Sequence, residues 1–262
     1  MWDDRVEAHW RSAMYRRHAE ALRGGGHCLR AEVIEAVGDV AGKSLIHLQC
    51  HMGMETLSWA RLGAVGVTGL DFSRPALDKA ELLRDELGLK AEFICGNVYD
   101  TLELVGRTFD VVFQSIGSLC WLPDLTGWAR VVAGLLNLGG RYVLEESHPF
   151  ADVLGQASGA EHLEPMYPYF DDGPVEFNEG GDYADPDATF THNRGFEWFH
   201  PLGDVVTHLI EAGLTIDRLG ESPRCVFPRY RLMEETRPGD WELLGKLRGK
   251  LPMSYVLVAH RG

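Results

Sequence analysis

The chain has 262 residues, 45% of them hydrophobic, with 30 Gly, 12 Pro and 5 Cys, which suffices for one sizeable core. Its net charge of −14 argues against a nucleic-acid surface, which needs a basic face. No apolar run approaches the roughly 20 residues that cross a bilayer, and Met1-Trp2-Asp3-Asp4-Arg5 lacks the apolar stretch of a secretory signal, so a cytoplasmic protein with no membrane partner is expected.

Residues 1–38 carry a helical pattern broken at Gly24-Gly25-Gly26. Trp10, Tyr15 and His18 lie on this segment, which reads as a lid with the glycines as its hinge. From 39 to 149 strands and helices alternate. Ser44–Gln49 is a strand candidate, and Met54–Leu62 has helical spacing up to Gly63. Ala64–Leu70 is a second strand closed by Asp71, and Ser73 with Pro75 opens a helix that Gly88 ends. Ala91–Cys95 and Phe109–Gln114 follow as strands, Trp128–Leu136 as a helix stopped by Gly139-Gly140, and Arg141–Glu145 as a further strand. This spacing implies βαβ units and a parallel sheet. Residues 150–200 are rich in aromatics, Asp, Gly and Pro (Tyr167, Tyr169, Phe170, Asp171 and Asp172 among them) with weak periodicity; so long a stretch reads as a substrate-side insertion or cap. Residues 201–262 supply a helix at Pro201–Ala212 and closing strands at Leu214–Leu219 and Ser254–His260.

In such a sheet the ligand sits beyond the carboxyl ends of the strands at the topological switch point. Two features mark that edge: the turn Gln49-Cys50-His51-Met52-Gly53, and Asp71, 18 residues after Gly53. A carboxylate there can accept both hydroxyls of a ribose, or cap the helix that follows. Gln49 and His51 occupy positions that are glycine in a dinucleotide loop. A ligand without a pyrophosphate tolerates the bulkier turn, which favours S-adenosylmethionine over a nicotinamide dinucleotide. The five scattered cysteines suit reduced thiols. His47, Cys50 and His51 lack a second ligand pair at metal-site spacing, so no metal is expected.

The segment Ser44–Pro149, and in particular His47-Leu48-Gln49-Cys50-His51-Met52-Gly53, resembles the class I S-adenosylmethionine-dependent methyltransferases, in a bacterial small-molecule branch. The tail Thr191-His192-Asn193-Arg194-Gly195-Phe196-Glu197-Trp198 is similar to that branch as well. The resemblance implies an α/β fold with a doubly wound, seven-stranded, mostly parallel sheet, Rossmann-like. It implies S-adenosyl-L-methionine as cofactor and a small-molecule methyl acceptor, with O-, N- or C-methylation open and a place in secondary metabolism among the readings. It places Gln49, Cys50, His51 and Gly53 along the methionine and ribose, Asp71 on the ribose hydroxyls, Phe72 near adenine, and Asn97 and Val98 beside it. Gln114 and Ser115 would face the sulfonium. His47 stands where the family has Asp or Glu, as a cofactor contact or as a strand residue satisfied internally.

Methyl transfer from a sulfonium is an in-line displacement that gains most from alignment and exclusion of water. A hydroxyl or carbon acid also needs a base, for which His is suited. His148, just past the fifth strand, and His192 are the catalytic candidates, each with a structural role as the alternative; Glu146 is open between the same two roles. Tyr15, Trp121, Tyr169 and Trp198 are the substrate-side candidates, among aromatics that include Tyr167, Phe170, Phe196 and Phe199. Two other readings remain: a cofactor-binding member of the fold without transfer activity, and a nicotinamide-dependent oxidoreductase. A monomer and a homodimer are both compatible.

Overall fold

In the computed structural model, which describes residues 1–155, 162–170, 173–178, 180–185 and 188–262, the chain opens with three helices: α1 (Trp2–Arg11), α2 (Ala13–Arg23) and α3 (Ala31–Val37). Asp171 and Asp172 lie outside the described residues. The alternating region runs β1 (Ser44–Leu48), α4 (Met54–Arg61), β2 (Val65–Asp71), α5 (Arg74–Leu87), β3 (Glu92–Cys95), α6 (Thr101–Val105), β4 (Phe109–Gln114), α7 (Leu125–Leu135) and β5 (Leu136–Ser147). The insertion holds α8 (Pro149–Val153) and four short strands, β6 (Leu154–Gly155), β7 (Glu164–Pro165), β8 (Val175–Phe177) and β9 (Gly195–Glu197). Then come α9 (Leu202–Glu211), β10 (Leu214–Ser222), β11 (Arg224–Cys225), β12 (Met233–Arg237), β13 (Asp240–Leu243) and β14 (Ser254–Arg261).

Seven strands form one sheet in the order β10-β14-β5-β4-β1-β2-β3. The pairs β5–β4, β4–β1, β1–β2 and β2–β3 are parallel, and β14 runs antiparallel to both neighbours. Chain order reverses between β1 and β4, which is the switch point. Strand β1 shows why both faces are covered: Leu45 packs into one apolar layer with Val33, Trp59 and Phe113, while Ile46 and Leu48 pack into the other with Val112 and Trp128. Helices α1 and α2 close a third cluster, in which Val6, Ala19 and Leu22 meet Met54, Leu57 and Leu83.

The expected helix to Leu136 and strand from Arg141 are corrected. Helix α7 ends at Leu135 and β5 begins at once, running through Gly139 (φ 75°), which kinks the strand where a helix stop was expected. Glycines 24–26 end α2, with Gly25 N–H donating to Leu22 O and Gly26 N–H to Ala21 O. A three-stranded sheet, β11-β13-β12, stands between the two closing strands and was not foreseen.

Candidate active site

The turn between β1 and α4 is where the sequence departs from a glycine loop, yet its backbone follows one. Gln49 (φ 52°) and His51 (φ 49°) occupy the left-handed region, and they are the non-glycine residues that do so among those described. Each conformation costs on the order of 1–3 kcal/mol and persists only when neighbours hold it. Gln49 donates from Nε2 to Ser118 O (3.1 Å) and accepts at Oε1 from Gln114 Nε2 (2.7 Å). His51 is fixed at both ends: its N–H donates to Asp71 Oδ2 (2.7 Å), and its Nε2 lies 2.8 Å from His9 Nδ1. Gly53 (φ 65°) is glycine for space, since a Cβ there would sit 2.6 Å from Phe93 Cε1.

Asp71, at the tip of β2, is buried. Its second oxygen accepts from Ser73 N–H (2.9 Å), so the carboxylate ties the turn to the start of α5 and also serves that helix. Burial raises its pKa while the backbone donors oppose the rise. Each oxygen keeps a further lone pair, so an acceptor-only group remains at the cavity edge. The cavity here measures about 1370 Å³. Single small-ligand pockets span roughly 300–1,000 Å³, so this cavity has room for two small molecules. Gln49, Cys50, His51, Gly53, Asp71, Phe72, Ser115, Tyr15, Trp121 and Trp198 all line it.

The remaining candidates are placed elsewhere. Gln114 is fully buried, and its Oε1 accepts from Trp128 Nε1 and Tyr142 OH (2.9 Å each). It supports Gln49 from beneath and does not reach the cavity. Asn97 is exposed and caps a short turn by accepting from Tyr99 N–H, and Val98 belongs to the core. Neither lines the cavity.

Both candidate histidines lie off the cavity lining. Phe150 N–H donates to His148 Nδ1 (3.0 Å), so Nε2 carries the proton and donates to Glu221 Oε1 (2.9 Å). His148 caps α8 with its ring away from the cavity lining. His192 lies outside the lining too, with its side chain 69% exposed and Nδ1 2.7 Å from Asp4 Oδ2. It pins the insertion to α1 on the surface. Tyr169 packs edge-on against Phe170 outside the cavity, whereas Tyr167 and Phe199 join Trp121 and Trp198 on its wall. Phe170 and Phe196 are exposed.

His47 is buried, with Nδ1 2.9 Å from Thr56 Oγ1 and Nε2 3.0 Å from Ser115 Oγ; burial holds its pKa down to about 3. The neutral ring joins β1, α4 and the end of β4, and does not line the cavity.

Asp182, Glu145 and Glu197 on the wall, and His9 behind it, were not foreseen, whereas Tyr15 and Glu146 were candidates. Asp182 Oδ1 lies 2.7 Å from His9 Nε2, completing a chain Asp182–His9–His51 from the insertion through α1 to the turn. Tyr15 stacks on His9 (5.3 Å, 9°) and bonds Tyr183 OH. Glu145 pairs with Arg30, yet burial still pushes its carboxyl up to about 7. Glu146 accepts the N–H groups of Gly117, Ser118 and Leu119, holding the loop after β4. Glu197, also pushed up to about 7 by burial, faces the same space. Adjacent acids ending an apolar strand, as in Tyr142–Glu146, are a signal that sequence reading can use; the other meetings are purely tertiary.

The architecture is similar to that of solved S-adenosylmethionine-dependent methyltransferases, and residues 46–140 match the family model described as a methyltransferase domain. The chain is 35% identical over 132 residues to a demethylmenaquinone methyltransferase of Lactococcus lactis subsp. lactis (49% of this chain, 52% of the relative). It is 32% identical over 143 residues to a ubiquinone biosynthesis O-methyltransferase of Ralstonia nicotianae (53% and 58%). The chain therefore spans about half the length of the curated relatives it matches. An S-adenosylmethionine-dependent methyltransferase from Mesorhizobium loti superposes with a TM-score of 0.64 at 22% identity, covering 88% of this chain and 96% of that one. A glycopeptide N-methyltransferase complexed with S-adenosyl-L-methionine does so with a TM-score of 0.56 at 16% identity, covering 94% of each.

Proposed function

We propose that the chain binds S-adenosyl-L-methionine at the edge between β1 and β2 and transfers its methyl group to a small molecule. The observation that carries this reading is Asp71 set against the Gln49–Gly53 turn at the switch point, at the mouth of a cavity large enough for two ligands. The donor set fits the cofactor. An acceptor-only carboxylate suits adjacent ribose hydroxyls, the exposed ring of Phe72 suits an adenine face, and the carboxylates Glu55, Glu145 and Glu146 on the wall suit a positive sulfonium. Bound there, the cofactor supplies an electrophilic methyl group on a good leaving thioether. The protein's part is to orient the acceptor, exclude water and remove a proton. Side chains on Gln49 and His51 leave no glycine approach for a pyrophosphate, which supports this reading over a nicotinamide enzyme.

No helix among the described residues is long and apolar enough to cross a membrane. All five cysteines are free thiols, which supports a reducing, cytoplasmic setting. Titration calorimetry with S-adenosylhomocysteine tests the site: saturable heat that is lost with NADH substituted as ligand is expected. Heat with NADH alone, or none with either, overturns the proposal. Label from methyl-labelled donor appearing in small molecules of a cell extract separates an enzyme from a cofactor-binding protein without activity.

A further inference from the structure

The insertion adds a carboxyl to the cavity, Glu197, with which none of the described residues forms a hydrogen bond or ion pair. Glu197 ends β9, and the next residue, Trp198, donates its N–H to Cys120 O (2.8 Å), which fastens this strand end to the loop after β4. Glu197 lines the cavity with Trp121, Trp198, Tyr167 and Phe199. The charged and titratable groups around this corner are Asp152 from α8, Arg229 from the loop after β11, Cys120, and Glu146 from β5. The one guanidinium among them is already engaged: Arg229 Nη1 pairs with Asp152 Oδ1 and Nη2 donates to Ser147 Oγ (2.8 Å). Among the described residues no hydrogen bond or ion pair reaches the Glu197 carboxyl, so its lone pairs are available to a ligand.

We propose that Glu197 is the catalytic base of an acceptor subsite for a planar, hydroxyl-bearing molecule, held between the aromatic walls and deprotonated as its oxygen is methylated. This rests on the methyltransferase reading above. The step balances. The acceptor O–H bond breaks and its proton passes to Glu197, an O–C bond forms to the methyl carbon, and the S–C electron pair stays on sulfur in a neutral thioether; Glu197 then releases the proton to water. A hydroxyl is favoured over an amine for a physical reason. A carboxylate stabilises an ammonium in its protonated, unreactive form, whereas facing a hydroxyl it withdraws the proton that blocks attack. Burial, with Asp152 beside it, sets the carboxyl at about 7, where a base is both ionised and effective near neutral pH.

The test uses the full chain saturated with S-adenosylhomocysteine, with catechol as probe and quenching of tryptophan fluorescence as readout. In the wild type, catechol binding is expected to weaken about tenfold from pH 8 to pH 6, because a carboxylate accepts a stronger hydrogen bond than a carboxylic acid. In Glu197→Gln it is expected to be about tenfold weaker at pH 8 and flat with pH, while the heat of S-adenosylhomocysteine binding is unchanged and certifies the fold. With labelled donor, catechol is expected to yield a labelled aryl methyl ether at a rate that falls about 100-fold or more in Glu197→Gln, and benzylamine no label. Catechol failing to bind the loaded wild type, a Glu197→Gln variant that keeps affinity and rate, or label on benzylamine in preference to catechol would each overturn the assignment. Absence of S-adenosylhomocysteine heat in the wild type would instead overturn the methyltransferase reading itself.

Discussion

Asp71 accepts the backbone N–H of His51 at 2.7 Å, joining the end of β2 to the bend that follows β1. The bond holds a non-glycine residue in a left-handed conformation at the edge of the proposed cofactor site. Replacing Asp71 by Ala removes this acceptor and the one for Ser73 N–H. Hydrogen bonds to charged groups are worth roughly 1.5–3 kcal/mol each, so a loss of about 3–6 kcal/mol in stability is expected by urea denaturation. S-adenosylhomocysteine affinity is expected to fall more than tenfold by calorimetry. Asp71→Asn should keep part of the stability and little of the affinity, because its amide nitrogen cannot accept.

Gly53→Ala combines two costs. A left-handed backbone disfavours a Cβ by roughly 1–2 kcal/mol, and the added methyl meets the Phe93 ring at 2.6 Å, an overpacking worth roughly 1–3 kcal/mol. A destabilisation of about 2–5 kcal/mol is expected. Gln49→Gly acts oppositely on the backbone, relieving the left-handed strain while removing the bonds to Ser118 O and Gln114. Its thermal midpoint should therefore change little while its affinity for S-adenosylhomocysteine drops. A large fall in thermal midpoint would show that the bonds made by the Gln49 side chain outweigh the strain of its backbone.

The central strands β1 to β4 and the helices α4 and α5 were legible because each signal is local: a buried apolar run, Ser73 as cap, Gly88 as stop. Asp71 was legible because strand end and turn stand at a spacing the chain itself dictates. The sheet β11-β13-β12 was not, since Met233–Arg237 is almost wholly exposed beyond Met233 and shows no buried alternation. Gln114 misled for a related reason. Its place at a strand end pointed to the ligand edge, but Trp128 and Tyr142 claim its amide from a neighbouring helix and strand. His148 likewise stands at the right edge with its ring turned to cap α8. Glu197 and the chain from Asp182 to His9, 173 residues apart, depend on how the insertion folds back, which no local pattern records.

His47 makes acid stability a test of its neutral, buried ring. Its pKa in the folded state is about 3 against 6.5 ordinarily, so as pH falls below 6.5 the unfolded chain takes up a proton that the folded chain refuses. The stability this group contributes is thus present near pH 7 and is lost as pH falls from 6.5 toward 3. By pH 5 the loss is about 2 kcal/mol. Glu145 and Glu197, both raised to about 7, act with the opposite sign: the folded state binds their protons first, and they add stability as pH falls through 7 toward the ordinary Glu range. The wild-type profile therefore mixes opposing contributions, and the informative quantity is a difference. His47→Asn, which does not titrate, should lose about 2 kcal/mol less than wild type between pH 7 and pH 5 in paired urea denaturations. Parallel profiles would mean that His47 is protonated in the fold.

The chain Asp182–His9–His51 is where the N-terminal helices and the insertion both hold the turn after β1. His9 is fully buried, and Arg5 Nε adds a second contact to Asp182 at 3.1 Å. Breaking a buried polar link by removing one partner strands the other, at roughly 1–3 kcal/mol. Asp182→Ala leaves His9 Nε2 and Arg5 Nε without their acceptor, and the effect should concentrate in α1, which packs on the core through Val6 and Trp10. Hydrogen exchange of residues 2–11 is expected to speed up at least tenfold in Asp182→Ala, with α5 and β1 unchanged. His51 then loses the neighbour that fixes its ring, so S-adenosylhomocysteine affinity should fall together with the protection. Deleting residues 1–24 should weaken that affinity further, since Trp2 and Tyr15 line the same cavity. Full affinity after the deletion would mean that the N-terminal helices cover the site without contributing to it.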